Sequence, residues 1–448
     1  MSQQFSPFSK EDLLPKPEVL EIKKQKGELF IGIPKETRLE EKRVCLTPDA
    51  VAALTNHGHR IVVETGAGNQ SNFYDKDYSD AGAKIAYSNE DVFGCNIILK
   101  VEPPSLEEIK LMNPQSTLIS ALQLKTQKNE YFEALAKKRI TAIAFDFIKD
   151  ELGVYPIVKS LSEIAGIASI LIAADLLNKD NNGNGWLLGN ISGVPPIEVV
   201  IIGAGTVGEF AARSAIGLGA SVKVFDNSIS KLRQLQHNLG RTIYTSTIQP
   251  KTLQKALKRC HVAIGAVRGK NRSPILVTQE MVEQMREGSV IVDVSIDRGG
   301  CFETSEITTH SKPTFRKHDV IHYCVPNIPS KYARTSSLSI SNIITPYLLN
   351  IGEEGGIENA SRFDKSLQKG MYFYHGILTN KSVSDWFNIP FRDIVYYYFS
   401  LQSFDNLRKI IYQNDYIDFY LRRNYIKHNI YSRTKTITHR KHKAINKQ

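Results

Sequence analysis

The stretch VVIIGAGTVGEFAARSAIGLGASVKVFD, residues 199–226, decides the fold. Four apolar residues run into Gly203-Ala204-Gly205-Thr206-Val207-Gly208, a G-x-G-x-x-G. A helical stretch, a second apolar strand and Asp226 follow. Such a glycine pattern alone is weak. With strand, turn, helix, strand and terminal acid in sequence, it describes a dinucleotide-binding unit. Gly203 permits the tight turn, and Gly208 lets the helix lie close on the strand. Gly205 lets backbone N–H groups approach a pyrophosphate where Thr206 and Val207 open the helix. Asp226, 23 residues after Gly203, can accept hydrogen bonds from ribose hydroxyls and repel a 2′-phosphate, which favours NAD over NADP. FAD and S-adenosylmethionine are the other occupants such a turn accepts.

The same alternation extends both ways. Downstream, VAIGAV (262–267), SVIVDVS (289–295) and VIHYCV (320–325) read as strands, and 335–352 as a helix. Upstream, a strand begins at Glu28 in LFIGIPKE. A helix over 47–57 follows, with Thr47 as N-cap and Pro48 in its first turn. Strands at 60–64, 97–101, 117–122 and 140–147 and a helix at 128–139 complete this half. Strands alternating with helices predict parallel sheets covered on both faces. The helix at 160–177 is apolar on most sides and is expected to be buried between the halves.

The composition, 42% hydrophobic and 23% charged over 448 residues, is that of a globular protein of two or three domains. Five cysteines, at 45, 95, 260, 301 and 324, form no C-x-x-C, which excludes a zinc cluster or thioredoxin motif. They fit a reducing cytoplasm, and no metal-ligand pattern stands out. The start lacks an apolar core behind a basic cluster, so no secretory signal is expected. The longest apolar run, about eleven residues around Ile167–Leu177, is too short for a bilayer. Of the net charge of +11, residues 401–448 carry +8, from eleven Lys/Arg and three Asp/Glu. The body is nearly neutral, and a nucleic-acid-binding body is not expected. Residues 391–448, without Gly or Pro and rich in Tyr, Ile, Asn, Lys and Arg, read as a helical or unstructured appendage. A basic aromatic surface for RNA or membrane is the sharper alternative.

Three charged residues stand at strand ends, where parallel sheets present ligands. Arg43 lies in EEKRVCLTP after the first strand, and Lys100 ends IILK. Two cations there suit a carboxylate or carbonyl, although each alone could be a surface charge. Asp297, in IDRGGCFE, follows VIVDVS beside Gly299 and Gly300; Asp293, inside the strand, reads as structural. Asn327 sits between two prolines in a rigid turn.

The stretches IGIPKE…KRVCLTP (31–48), ETGAG (64–68), ILKVEPP (98–104), SLSEIAG (160–166), VIIGAGTVG (200–208), FDNSISKLRQL (225–235), VIVDVSIDRGGCFETS (290–305) and HYCVPNIPSKYARTSSLSISN (322–342) resemble the alanine dehydrogenase and pyridine nucleotide transhydrogenase family. The resemblance covers roughly residues 28–380. VDVSIDRGGCFE and HYCVPNIP resemble its dehydrogenase branch. The family implies two Rossmann-like, doubly wound parallel-sheet domains with a cleft between them. The expected division is an arm at 1–27, a substrate domain at 28–158 and a nucleotide domain at 159–330. A return segment at 331–390 completes the substrate domain, and a basic tail occupies 391–448. The resemblance further implies a cytoplasmic homo-oligomer, a hexamer or a dimer, that interconverts L-alanine with pyruvate and ammonium using NAD. Arg43 and Lys100 match its substrate-binding residues and Asp297 its catalytic aspartate. Ser162, Asp226, Lys231 and Asn327 fall in segments that line the cofactor. Where the family has a catalytic histidine, this chain has Gln123, which can hydrogen-bond a carbonyl but cannot shuttle a proton at neutral pH. That difference keeps two other readings open: a saccharopine- or opine-type dehydrogenase, and a non-catalytic NAD-binding regulator.

Overall fold

A computed structural model describes residues 27–38, 40–269 and 272–394. The N-terminal arm up to residue 26 and the tail from residue 395 lie outside the described residues. The chain divides into two compact units, 1–377 and 378–448. In the second, Asn380 Oδ1 accepts the Val383 N–H at 3.2 Å and starts the helix Lys381–Phe387.

The strands are β1 (Phe30–Ile33), β2 (Arg60–Glu64), β3 (Lys84–Ala86), β4 (Ile97–Leu99), β5 (Thr117–Ser120), β6 (Thr141–Ala144), β7 (Glu198–Ile202) and β8 (Ser221–Phe225). They continue as β9 (Tyr244–Ser246), β10 (Val262–Gly265), β11 (Val290–Asp293), β12 (Thr314–Lys317), β13 (Val320–Tyr323), β14 (Met371–Tyr374) and β15 (Ile377–Leu378). One sheet has the order β15-β14-β6-β5-β4-β1-β2-β3, the other β12-β13-β11-β10-β7-β8-β9. Both share one plan, invisible in the sequence: third, second, first, fourth and fifth strands side by side and parallel. Beside β1 and beside β7 the winding changes direction, and a crevice opens at the strands' carboxyl ends. The sheets are mixed rather than wholly parallel, because β14 on β6 and β12 on β13 run antiparallel.

Strand β7 shows why the sheet is covered twice. Val199 and Ile201 face one apolar cluster with Val262, Ile264, Val290 and Val292. Val200 and Ile202 face another with Ala263 and Ile291. Period-two alternation of wholly apolar residues therefore builds two cores, each buried Val or Ile stabilising by about 1.5–3 kcal/mol.

Two 21-residue helices cross between the sheets in sequence, Pro156–Leu176 outward and Ala333–Glu353 on the return. Hydroxyls of Ser160 and Ser339 meet between them. The first is long and apolar enough to cross a bilayer, unlike the eleven-residue run read from the sequence. Gly166 packs it onto the helix Thr206–Gly217: a Cβ there would come within 2.5 Å of the Val207 carbonyl oxygen. Ile167 and Leu171 are 41% and 46% exposed, so the helix is buried along part of its circumference only. Thr47 precedes the helix Pro48–Asn56 as expected but makes no side-chain cap. Its hydroxyl meets Ser341 Oγ at 3.2 Å instead.

Candidate active site

At the crevice of the second sheet, backbone conformation does the work. Gly203 has φ +114°, and a Cβ would lie 2.4 Å from the Ala266 carbonyl oxygen. At Gly208 a Cβ would stand 1.9 Å from the Gly203 carbonyl oxygen. A Cβ on Gly205 would meet nothing within 4 Å, so that side of the turn is open to a ligand. Thr206 and Val207 begin the helix Thr206–Gly217, whose first N–H groups lack helical partners. Asp226, past the end of β8, accepts the Ala204 N–H at 2.8 Å and the Ser228 N–H at 2.7 Å. Its remaining lone pairs leave it able to hold ribose hydroxyls. Ser228 Oγ accepts the Lys231 N–H at 3.4 Å, while the Lys231 side chain is exposed. Ser162 Oγ donates to the Val158 carbonyl at 2.6 Å within its own helix. The turn, the helix terminus and Asp226 together fit a dinucleotide.

The crevice of the first sheet is built from charge. The loop after β1 and the residues after β4 lie side by side because β1 and β4 are neighbours. Arg43, 5% exposed, donates to Glu41 through Nε (2.7 Å) and Nη2 (2.6 Å), and Glu102 stands 3.7 Å from the same Nη2. Lys100, 1% exposed and so no surface charge, lies 2.9 Å from Glu108 and 3.5 Å from Glu36. Arg38 meets Glu102 at 2.7 Å and also donates to Gln123 Oε1. A shallow recess beside these groups is lined by Glu36, Glu41, Arg43, Gly66 and Gln70 among others.

Burial and charge pull the carboxyls apart. Burial raises the Glu36 carboxyl to about 7 against the pull of Lys100. Burial and then Glu41 raise Glu102, with Arg43 and Arg38 opposing. Glu41 goes the other way: burial pushes it up, but Arg43 and its hydrogen bonds hold it well below the ordinary range. Burial would also discharge Arg43 and Lys100, but their acid partners keep both protonated.

Asn327 joins the end of β11 in the second sheet to the charged crevice of the first. It has φ +54°, its N–H donates to Asp297 Oδ1 at 2.9 Å, and its Nδ2 donates to Glu41 Oε2 at 2.9 Å. Asp297 is open to solvent yet surrounded by protein, and this desolvation raises its carboxyl against the Asn327 N–H and Arg43. Asp293 is structural as expected, accepting from Ser295 N, Cys301 N and Ser305 Oγ at 3.0, 2.9 and 2.7 Å. Gln123 follows β5 at φ +47°, and the Asp146 carboxylate accepts the preceding Leu122 N–H at 3.0 Å. Three serines from far along the chain fix the Arg43 loop: Ser330 Oγ accepts the Lys42 N–H (3.0 Å), Ser337 Oγ the Val44 N–H (3.0 Å), and Ser341 Oγ the Thr47 N–H (3.1 Å).

Arg43, Lys100, Gln123, Asp297 and Asn327 therefore belong to one neighbourhood of loops, and the glycine turn with Asp226 and Lys231 to another. Ser162 is joined by hydrogen bonds to neither among the described residues. Sequence reading passed over Arg38, Glu36, Glu41, Glu102, Glu108 and Asp146. The density of acids in KETRLEEKR and VEPPSLEE was the available signal.

Residues 32–165 match the sequence model of the alanine dehydrogenase/PNT N-terminal domain, and residues 169–381 that of the C-terminal domain. An alanine dehydrogenase of Mycolicibacterium smegmatis is 39% identical over 367 residues, 82% of this chain and 98% of the relative. One of Staphylococcus epidermidis is 38% identical over 366 residues, 81% of this chain and 98% of the relative. A solved L-alanine dehydrogenase superposes with TM-score 0.75 at 36% identity, covering 80% of this chain and 99% of its own. A transhydrogenase from Sinorhizobium meliloti, 24% identical, has TM-score 0.68 over 78% of this chain and 98% of its own, and shares the fold.

Proposed function

Because the chain belongs to the alanine dehydrogenase and pyridine nucleotide transhydrogenase family, we propose that it is an NAD-dependent alanine dehydrogenase, interconverting L-alanine and water with pyruvate and ammonium. The observation that carries this reading is Asn327, which ties Asp297, just past β11 of the second sheet, to the Glu41–Arg43 pair in the crevice of the first.

Arg43 binds the substrate carboxylate. Its contacts to Glu41 use Nε and Nη2 and leave Nη1 for that role. Lys100, held charged by Glu36 and Glu108, steers its remaining N–H to the substrate oxygen. Gln123 donates to the same oxygen. NAD, held by Gly203, Gly205, Thr206, Val207, Gly208 and Asp226, supplies the hydride acceptor when bound. Ser162, Lys231 and the Asn327 turn flank it. Once a hydride has left Cα, Asp297 accepts a proton from the water that adds to the imine carbon as the C=N electrons pass to nitrogen. Asp297 then returns that proton to the nitrogen, and collapse of the adduct, with the hydroxyl proton leaving on the departing ammonia, releases ammonium and leaves the pyruvate carbonyl.

The division proposed is a substrate domain at 28–158 closed by 331–390, with the nucleotide domain at 159–330 inserted. The Ser337 and Ser341 contacts to Val44 and Thr47 support it. Five free, buried cysteines support a cytoplasmic setting, and the family supports a homo-oligomer. The test is NADH absorbance with a panel of oxoacids plus ammonium. Pyruvate should give the highest kcat/KM. A preference for opine- or saccharopine-type substrates, or tight NADH binding without turnover, would overturn the assignment.

A further inference from the structure

Gln123 is held more firmly than a surface amide needs to be. Its backbone sits at φ +47°, a region that non-glycine residues rarely adopt. Asp146 accepts the Leu122 N–H from behind, at 3.0 Å, and the Gln123 N–H as well. From the other side Arg38 donates to the Gln123 side-chain oxygen. A guanidinium only donates, so the amide oxygen must face it, and the NH₂ end is left over. Among the described residues that Nε2 has no partner. Arg38 is itself aimed: its Nη1 lies 2.7 Å from Glu102 Oε2, and the Glu102 side chain is 5% exposed against 47% for Arg38.

We propose that Arg38, anchored by Glu102, is a positioning residue that fixes Gln123 as a one-way hydrogen-bond donor to the substrate carbonyl oxygen. This rests on the alanine dehydrogenase reading and adds a device to it. A histidine there would donate best when protonated, and so would follow pH itself. Here the polarising charge belongs to a guanidinium, which does not titrate. Sensitivity to pH moves to the anchor. Glu102 faces Glu41, Arg43 and Arg38 from the loop after β1; Glu36 on that loop receives its N–H at 3.4 Å, and Lys100 lies on its own segment. Burial, then Glu41, raises it to about 7. When Glu102 takes up a proton, its hold on the half-exposed Arg38 weakens, and Gln123 loses its fixed orientation.

The experiment is steady-state kinetics of the full chain with pyruvate, ammonium and NADH across pH 6–9, on the unaltered protein and three variants. Arg38→Met should lower kcat about tenfold, on the order of one hydrogen bond to the reacting group, with KM for pyruvate little changed. Arg38→Lys, which keeps a donor, should recover most of that loss. In the unaltered protein kcat should fall below about pH 7. Glu102→Gln, which still accepts from Arg38 but does not titrate, should flatten that limb. A merely structural Arg38 or Glu102 would change thermal stability and leave the limb in place. Arg38→Met with kcat within twofold of the unaltered protein, or an acid limb that survives Glu102→Gln, overturns the positioning role alone. No pyruvate turnover by the unaltered protein overturns the functional reading and this device with it.

Discussion

The two crevices share a strand order and differ in almost everything else. Beside β7 the ligand-facing atoms are backbone N–H groups and open space over Gly205, with Asp226 as the acid. Beside β1 they are side chains: Arg43, Lys100 and Arg38 among Glu36, Glu41, Glu102 and Glu108. A dinucleotide is large, and many weak backbone contacts can hold its pyrophosphate at a helix terminus. A three-carbon acid offers few atoms, so each contact must be strong, and strong contacts are charged and desolvated. One topology thus supplies two kinds of site by what is placed in the loops after the first and fourth strands.

That contrast predicts where damage shows as lost stability and where as lost function. The largest stability effect is expected at Glu41. Glu41→Leu leaves Arg43 buried without its bidentate partner, which costs about 3–5 kcal/mol, read as a fall in urea midpoint. An unchanged midpoint would mean that Arg43 finds solvent. Asp297→Asn keeps an acceptor for the Asn327 N–H while deleting the charge. It should cut turnover by about 10²-fold or more with NADH affinity unchanged. Gly205→Ala adds a Cβ that meets no protein atom within 4 Å and should lower the melting temperature only slightly, while weakening NADH binding in a fluorescence titration by about tenfold or more. A fold lost at Gly205, or binding retained, would erase the distinction between the crevices. Asp226→Ala should narrow the preference for NAD over NADP by about tenfold through removal of a like-charge contact. Equal use of both cofactors by the unaltered protein would remove the assigned role of Asp226.

A smaller effect concerns pH. The Glu36 carboxyl is raised from 4.5 to about 7 by burial, so the folded state holds a proton that the unfolded chain releases. Its contribution to stability is fully present below about 4.5 and is lost as pH rises through about 7. Glu36→Gln should flatten that part of the melting-temperature profile. A profile unaltered by the substitution would place the titration elsewhere.

Much of the nucleotide crevice was readable because its signals are local: glycines at fixed spacing, an apolar run on each side and an acid at the strand end. Arg43, Lys100 and Asp297 were singled out by their place after strands. Their partners were not. Pairing Lys100 with Glu36, or Arg38 with Glu102, requires knowing that β1 and β4 are neighbours, a property of topology. The short strands β3, β9, β12 and β14 also escaped, since three or four residues carry too little periodicity to stand out. The helix read as 160–177 starts four residues earlier, because the polar Lys159 hid Ile157 and Val158 from the apolar pattern. It begins instead at Pro156, whose ring suits a first helical turn.

The serine contacts to the Arg43 loop carry a consequence for how the molecule is made. Lys42, Val44 and Thr47 bond to partners 288, 293 and 294 residues further along the chain. Closing such contacts requires that everything between them has already been synthesised. On the ribosome, β7 to β11 can pair and complete the glycine crevice while the loop bearing Arg43 still waits for its serines. The half that begins first is thus the half that finishes last. A chain released before Ser330 would carry the paired nucleotide strands and an arginine loop without any of its three serine contacts.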